Sequence, residues 1–220
     1  MSPSAELRAW RDRFRAEEIG PRYAGWVHFG FTTVGALAAI AVAVSQLGPM
    51  RPLEWGLAPL YFVVANVGEY VGHRGPMHHR RRGLDLLFQR HTLQHHRFFT
   101  HEAMACESAR DFKIMLFPPV MLVFFLGGLM LPIGALLYVA VSANAGWLFV
   151  IVGVGYFLLY EWLHFAYHLP ADGPVRWLPL VAALRRHHQT HHDPRLMADW
   201  NFNITFPIAD ALLRTWYRGE

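Results

Sequence analysis

Cysteine is nearly absent. The one thiol, Cys106, excludes an intramolecular disulfide, so the fold is not a disulfide-stapled one. Charge is missing from long stretches. No Asp, Glu, Lys or Arg occurs from Tyr23 to Met50, or from Ile114 to Tyr160. About 20 apolar residues cross the hydrocarbon core of a bilayer, so these stretches argue against a wholly soluble domain. No internal repeat or low-complexity tract is visible, and no remaining stretch is long enough for a second soluble domain. What is abundant fits a membrane class: hydrophobic residues make up 54% and aromatics 15%. The net charge of +4 comes mostly from arginine, which suits anionic lipid headgroups. No basic stripe runs free of apolar interruption, so no nucleic-acid partner is expected.

The pattern predicts an all-α integral-membrane helical bundle with about four embedded helices and a histidine-rich helical cap. Residues 1–22 read as an amphipathic interfacial segment, with Leu7, Trp10 and Phe14 among Arg8, Arg11 and Arg15. Charges run through it and no small-residue cleavage pattern follows, unlike a signal peptide. Residues 23–220 read as one membrane domain. The first span is expected over Trp26–Leu47, stopped by Gly48-Pro49, and the second over about 53–71. The charge-free stretch after Ile114 is expected to give helices over about 113–130 and 146–168, with a short segment at 133–143 between them. The polar segments 73–113 and 169–220 are separated from each other and from the N-terminus by even numbers of crossings. Arginine in those segments places all three on the cytoplasmic side. Trp26, Trp55, Tyr61, Trp162 and Trp177 suit an aromatic belt, and Arg80-Arg81-Arg82 suits lipid headgroups or, as the alternative, the docking of an acidic electron donor.

Histidine is the outlier, with 14 copies, all but His28 and His101 in four short clusters. Those two read as interfacial or surface residues. The first cluster runs Glu69, His73, His78, His79. Glu69 and His73 lie one helical turn apart, and Gly75-Pro76 breaks the helix so that His78 folds back toward His73. The second is His91, His95 and His96, with His91 and His95 on one face. The third is Glu161, His164 and His168. The fourth is His187, His188, His191, His192 and Asp193, with Pro194 as its stop. A lone pair of histidines one turn apart is a weak signal for metal. Four clusters at one membrane face would crowd imidazoles whose partial protonation is repulsive, unless a cation holds them. A structural zinc takes four ligands, so this number argues for a dinuclear site. Imidazole suits iron, copper, nickel and zinc alike, so ligand type does not name the metal.

The boxes His73–His78, His91–His95-His96, His164–His168 and His188–His191-His192 resemble, in order and spacing, those of the fatty acid hydroxylase/sterol desaturase superfamily. The tail Trp200-Asn201-Phe202-Asn203-Ile204-Thr205, then Asp210 and Leu213-Arg214-Thr215, resembles that family's ending. It departs from it at Asn203 and Arg214, where glycine is usual. The resemblance covers roughly residues 55–218. It implies two Fe ions, with zinc a substitute in purified or crystallised protein, held by His73, His78, His91, His95, His96, His164, His168, His188, His191 and His192. His79 and His187 are ambiguous doublet members. Glu69, Glu161 and Asp193 are candidate acceptors that orient ring N–H groups. No catalytic residue is expected beyond the metal ligands.

The implied activity is hydroxylation of a membrane lipid acyl chain with O2. The chain has neither a GxGxxG fingerprint nor a cytochrome b5-like segment, so electrons are expected from a separate donor protein. Two other readings share features. A sterol desaturase or carotenoid hydroxylase of the same superfamily would differ in pocket shape. A membrane metal-binding or transport protein should place polar ligands near the bilayer midplane, where the charge-free spans here are bare.

Overall fold

The computed structural model describes residues 3–170, 172–173 and 177–219. The outermost ends of the two expected ranges, at 1–2 and 220, lie outside the described residues. The described chain is helical, without a strand; one isolated bridge pairs Thr100 with Ala103. Its contacts divide it into two interleaved units, Met1–Trp26 with Asn66–Leu116 and Trp162–Glu220, and Val27–Ala65 with Phe117–Glu161.

The second unit is the apolar one. Helix α2 spans Gly25–Ser45. After a 3₁₀ turn at Pro52–Gly56, α3 spans Leu57–Gly72. Among the described residues, three helical stretches are long and apolar enough to cross a membrane: Gly25–Ser45, Pro119–Ala140 and Ala143–Tyr167. The expected break between residues 130 and 133 is not found. Pro119–Val123, a π-helical stretch Phe124–Met130, and Leu131–Ala140 run on as one helix. Pro132 opens the last of these pieces. Proline lacks a donor and costs little in an opening turn.

Two glycines bring this helix against Ala143–Tyr167. A Cβ on Gly146 would clash with the Gly134 carbonyl oxygen, and one on Gly134 would lie 2.9 Å from Val150 Cγ2. Close backbone approach through small residues is how helices pack in lipid, where no hydrophobic force drives them together. Ala36, Ala43, Leu122, Val150, Val154, Phe157 and Leu158 form the core of this unit. Tyr61 is buried there against Phe149, with ring centroids 5.3 Å apart, rather than lying in an exposed belt. His28 is also buried, with Nε2 2.9 Å from the Phe117 carbonyl oxygen. The other expected belt residues, Trp26, Trp55, Trp162 and Trp177, are exposed.

The first unit carries the histidine clusters. Its opening helix, α1 (Ala5–Glu17), is capped by Ser4, whose hydroxyl accepts from the Leu7 amide at 3.1 Å. This helix is docked on the loop that holds Glu107 and Asp111. Arg11 is 1% exposed, and Arg15 is ion-paired with Glu107 and Asp111. The remaining elements that matter for function are a π turn at His73–Met77, a short helix Asp85–Phe88 running into a π turn at Gln89–His95, and His96–Phe98. They are followed by Phe112–Met115, the end of Ala143–Tyr167, Pro179–His191 and Ile208–Leu212.

Candidate metal centre

Local helix register decides which histidines meet. Pro76 sits inside the turn His73–Met77 and has no N–H to give the ordinary hydrogen bond. The turn widens to π geometry, whose repeat is i to i+5. His73 and His78, five apart, thereby come onto one face, with Nε2 atoms 3.2 Å apart. Gln89–His95 has the same π geometry without a proline: His91 Nε2 lies 3.1 Å from His96 Nε2, while its ring stacks on that of His95 with centroids 5.2 Å apart. The expected sharing of a face by His91 and His95 is met, but their Nε2 atoms part, that of His91 to His96 and that of His95 to His192. In Pro179–His191 the repeat is α-helical. His188 meets His192, four residues on, at 3.0 Å, and His191 points elsewhere.

The result is two groups of five buried imidazoles. One holds His73, His78, His91, His96 and His191; the other holds His95, His164, His168, His188 and His192. Within each, one nitrogen per residue lies within 4.8 Å of all the others. Neighbouring residues on a helix point in different directions, so the doublets His95-His96 and His191-His192 each give one ring to either group. His79 and His187 fall in neither. His79 is exposed, with Nδ1 2.6 Å from the Arg74 carbonyl oxygen, and His187 Nε2 lies 3.2 Å from Asp210 Oδ2.

Six of the ten rings are held by the backbone through the opposite nitrogen, whereas Nδ1 of His96 and of His188 is buried without a hydrogen-bond partner. His95 donates through Nδ1–H to the Ile114 carbonyl at 3.0 Å, His164 to Met115 at 2.9 Å and His168 to Met104 at 2.9 Å. His191 donates to Trp200 at 2.9 Å, His192 to Phe99, and His73 to Phe202. A carbonyl only accepts, so each of these rings carries its proton on Nδ1 and presents a bare lone pair at Nε2. In the second group the Nε2 atoms form a closed ring. The steps His95–His192, His192–His188, His188–His168, His168–His164 and His164–His95 measure 3.3, 3.0, 3.2, 3.3 and 3.2 Å. Where both rings are pinned, these contacts set lone pair against lone pair and are not hydrogen bonds. A cation resolves that repulsion. With imidazole nitrogens about 2.1 Å from a metal, ligands at right angles lie about 3.0 Å apart. The donor set therefore fits a metal ion in each group.

Burial, reinforced in places by neighbouring rings, lowers the pKa of His73 and His95 to about 4. Burial and ring–ring repulsion also lower His78, His91, His96, His168, His188, His191 and His192. The unfolded chain binds protons at these residues below about pH 6.5, whereas folded His73 and His95 do so only near pH 4. Between those values the unfolded state holds more protons, so acidification destabilises the fold, and protons compete with any metal for the same nitrogens. Melts of metal-free protein in detergent should show a midpoint falling steadily from pH 6.5 to pH 4. A flat profile would contradict the buried, neutral state of these rings.

The acids flanking the clusters pin neighbouring segments. Glu69 accepts from the Thr205 hydroxyl at 2.7 Å, from the Thr205 amide at 3.1 Å, and from the Ile204 amide. Glu161 accepts from the Phe117 amide at 3.2 Å. Asp193 closes on Arg195 at 2.6 Å, which holds its carboxyl down at about 2. One carboxylate was not anticipated. Asp210 is fully buried and accepts from the amides of Phe202 (3.0 Å) and Asn203 (2.8 Å) and from the Thr215 hydroxyl (2.7 Å). It thereby sets the loop whose carbonyls, at Trp200 and Phe202, hold His191 and His73. Its place in the tail motif, eight residues after Phe202, is the sequence signal that could have found it.

The two departures from the usual glycines have different physics. Asn203 uses its side chain: Nδ2 donates to the Asn66 carbonyl at 3.1 Å, and Oδ1 accepts from the Asp210 amide at 3.1 Å. Arg214 has φ of 60°, in the left-handed region that glycine enters without cost. Arg214→Gly should relieve about 1 kcal/mol of backbone strain, read as a raised unfolding midpoint. An unchanged or lowered midpoint would show that the arginine side chain compensates.

These features, among the described residues, define a class: an all-helical protein with stretches long and apolar enough to cross a membrane and two buried five-histidine groups fit to hold metal ions. A model of the fatty acid hydroxylase family matches residues 58–215, and the chain belongs to that family, within the fatty acid hydroxylase/sterol desaturase superfamily. Comparison with curated proteins and with solved structures returns no match. Membership implies a membrane-bound oxidoreductase of the lipid hydroxylase or desaturase kind, in a family known to use iron.

Proposed function

We propose that this protein is a non-haem di-iron oxygenase that hydroxylates a membrane lipid acyl chain, consuming O2 and electrons from a separate donor protein. The observation that supports it best is the pair of five-histidine groups, with lone pairs converging at about the spacing a metal requires. His73, His78, His91, His96 and His191 would hold one iron, and His95, His164, His168, His188 and His192 the other. The irons would supply oxygen activation and removal of hydrogen from an unactivated carbon, chemistry that no side chain here performs.

The residues of this chain do the rest. Backbone carbonyls fix the tautomers of six of the ten rings, so those are set before a metal arrives. Burial keeps water from the ligand nitrogens. Residues 23–220 act as one domain behind the segment 1–22, with the N-terminus and the histidine-bearing segments on the cytoplasmic side, where a soluble electron donor reaches them. Arg80, Arg81 and Arg82 would meet anionic headgroups there.

The test is to express the protein in a bacterial host with a competent reductase and compare membrane-lipid mass spectra with those of a His95→Ala, His192→Ala control. A lipid gaining one oxygen only with the intact histidines supports hydroxylation. Loss of two hydrogens would make the enzyme a desaturase. No altered lipid would overturn the reading for the lipids present.

A further inference from the structure

Arg11 lies outside the stretch that matches the family, yet it is among the most deeply buried side chains of the molecule, 1% exposed. Its donors are spread over one loop. Nε–H donates to the Phe98 carbonyl at 2.8 Å, Nη2–H to the Ala103 carbonyl at 2.7 Å, and Nη1–H to Glu107 Oε1 at 2.8 Å. The guanidinium carbon also lies 5.0 Å from the centroid of the Phe98 ring. One turn on, Arg15 donates to Glu107 Oε2 at 2.7 Å and to both oxygens of Asp111, at 2.8 and 2.9 Å. Asp111 in turn accepts from the amides of Glu107 and Ser108. The first helix thus clamps the loop from Phe98 to Asp111 at several points.

That loop carries two of the carbonyls that orient histidines. Phe99 holds His192 and Met104 holds His168. The two carbonyls Arg11 grips, at Phe98 and Ala103, belong to the residues immediately before them. One rigid fork therefore fixes the separation and tilt of both acceptors. His192 and His168 belong to the same five-histidine group. Three rings of the other group take their support elsewhere: His73 from Phe202, His191 from Trp200, and His78 beside Thr92, whose hydroxyl lies 3.4 Å from Nδ1.

We propose that Arg11 is a positioning residue for the metal bound by His95, His164, His168, His188 and His192, and that it leaves the other ion untouched. This rests on the reading that each group holds a metal. Lysine would not replace it, because three donors in a planar fork reach three separate acceptors here, and an ammonium is a single compact charge. Residues that support ligands typically change metal affinity by about 10–100-fold, so selective loss of one ion is the expected signature.

The experiment measures iron per chain, by elemental analysis, on purified full-length protein in detergent after dialysis against a weak chelator. Helical content by circular dichroism is read on the same samples. Wild type and Arg8→Met, which removes an exposed arginine from the same helix, should retain two ions. Arg11→Met should retain about one, with helical content unchanged, and Arg11→Lys should fall between. In a His192→Ala background Arg11→Met should remove nothing more, whereas in a His191→Ala background it should strip the remaining ion. Retention of both ions, or parallel loss of both, in Arg11→Met and Arg11→Lys would overturn the proposal. Wild-type protein that binds no metal would instead overturn the di-iron reading on which it rests.

Discussion

His192→Ala is expected to abolish lipid oxidation while leaving one metal ion in place. The ring completes two steps of the closed Nε2 circuit, to His95 at 3.3 Å and His188 at 3.0 Å, and it is anchored to the Phe99 carbonyl. Alanine removes one of the five imidazoles and opens a buried void in the group. Weakening by more than about a hundredfold is expected, beyond the usual effect of losing a supporting residue. Oxidation that requires both ions then fails completely and not by half. His79→Ala is the matched comparison, since His79 is exposed and in neither group; it should oxidise lipid at the wild-type rate. The measurement is metal content together with product per cell. Full activity in His192→Ala would show that the second group is not part of the reaction.

Asp210→Ala is the second large effect, and it should strike the other group. The carboxylate is 0% exposed and is the acceptor for two amides, the Thr215 hydroxyl and a His187 ring nitrogen. Burial alone would raise its pKa. Hydrogen bonds from His187, the Asn203 amide, Thr215 and the Phe202 amide instead hold it below the usual carboxylate value. Removing it strands several buried donors, each at about 1–3 kcal/mol, so a loss of about 3 kcal/mol or more in stability is expected. The Phe202 and Trp200 carbonyls would lose their register, and with it the orientation of His73 and His191. Denaturant unfolding and metal content of Asp210→Ala and Asp210→Asn check this, with asparagine milder because it keeps one acceptor oxygen. A small change in both variants would show that the loop holds its shape without the carboxylate.

These two residues mark what the sequence makes legible and what it hides. The ten histidines that converge were visible as four spaced boxes, because imidazole is rare and its clustering is conspicuous. Their division into groups was not. Adjacent histidines split between groups, and pairs five apart join, because Pro76 and the stretch Gln89–His95 adopt π geometry. Spacing rules built on an α-helical repeat do not anticipate that. The groups that orient the rings were hidden for a different reason. They are backbone carbonyls, which every residue possesses, so nothing in side-chain identity marks Phe99, Met104 or Trp200. Glu69, Glu161 and Asp193 stand out in sequence because they are charged, and their resolved hydrogen bonds run to loops and to Arg195. The apolar spans were legible from missing charge. The break expected near Pro132 was misplaced because proline is tolerated where it opens a helical piece. Arg11 was read as part of a polar helix face, since burial of an arginine depends on a loop about 90 residues away in sequence.

The most direct test of the central claim is incorporation of labelled oxygen. Membranes containing the wild-type protein and a reductase are supplied with oxygen-18 gas, and lipid products are weighed by mass spectrometry. One labelled oxygen atom per modified acyl chain, absent from His192→Ala membranes, is the predicted result. Product oxygen that comes from water, or label that appears equally in the variant, would contradict a di-iron oxygenase built on these two histidine groups.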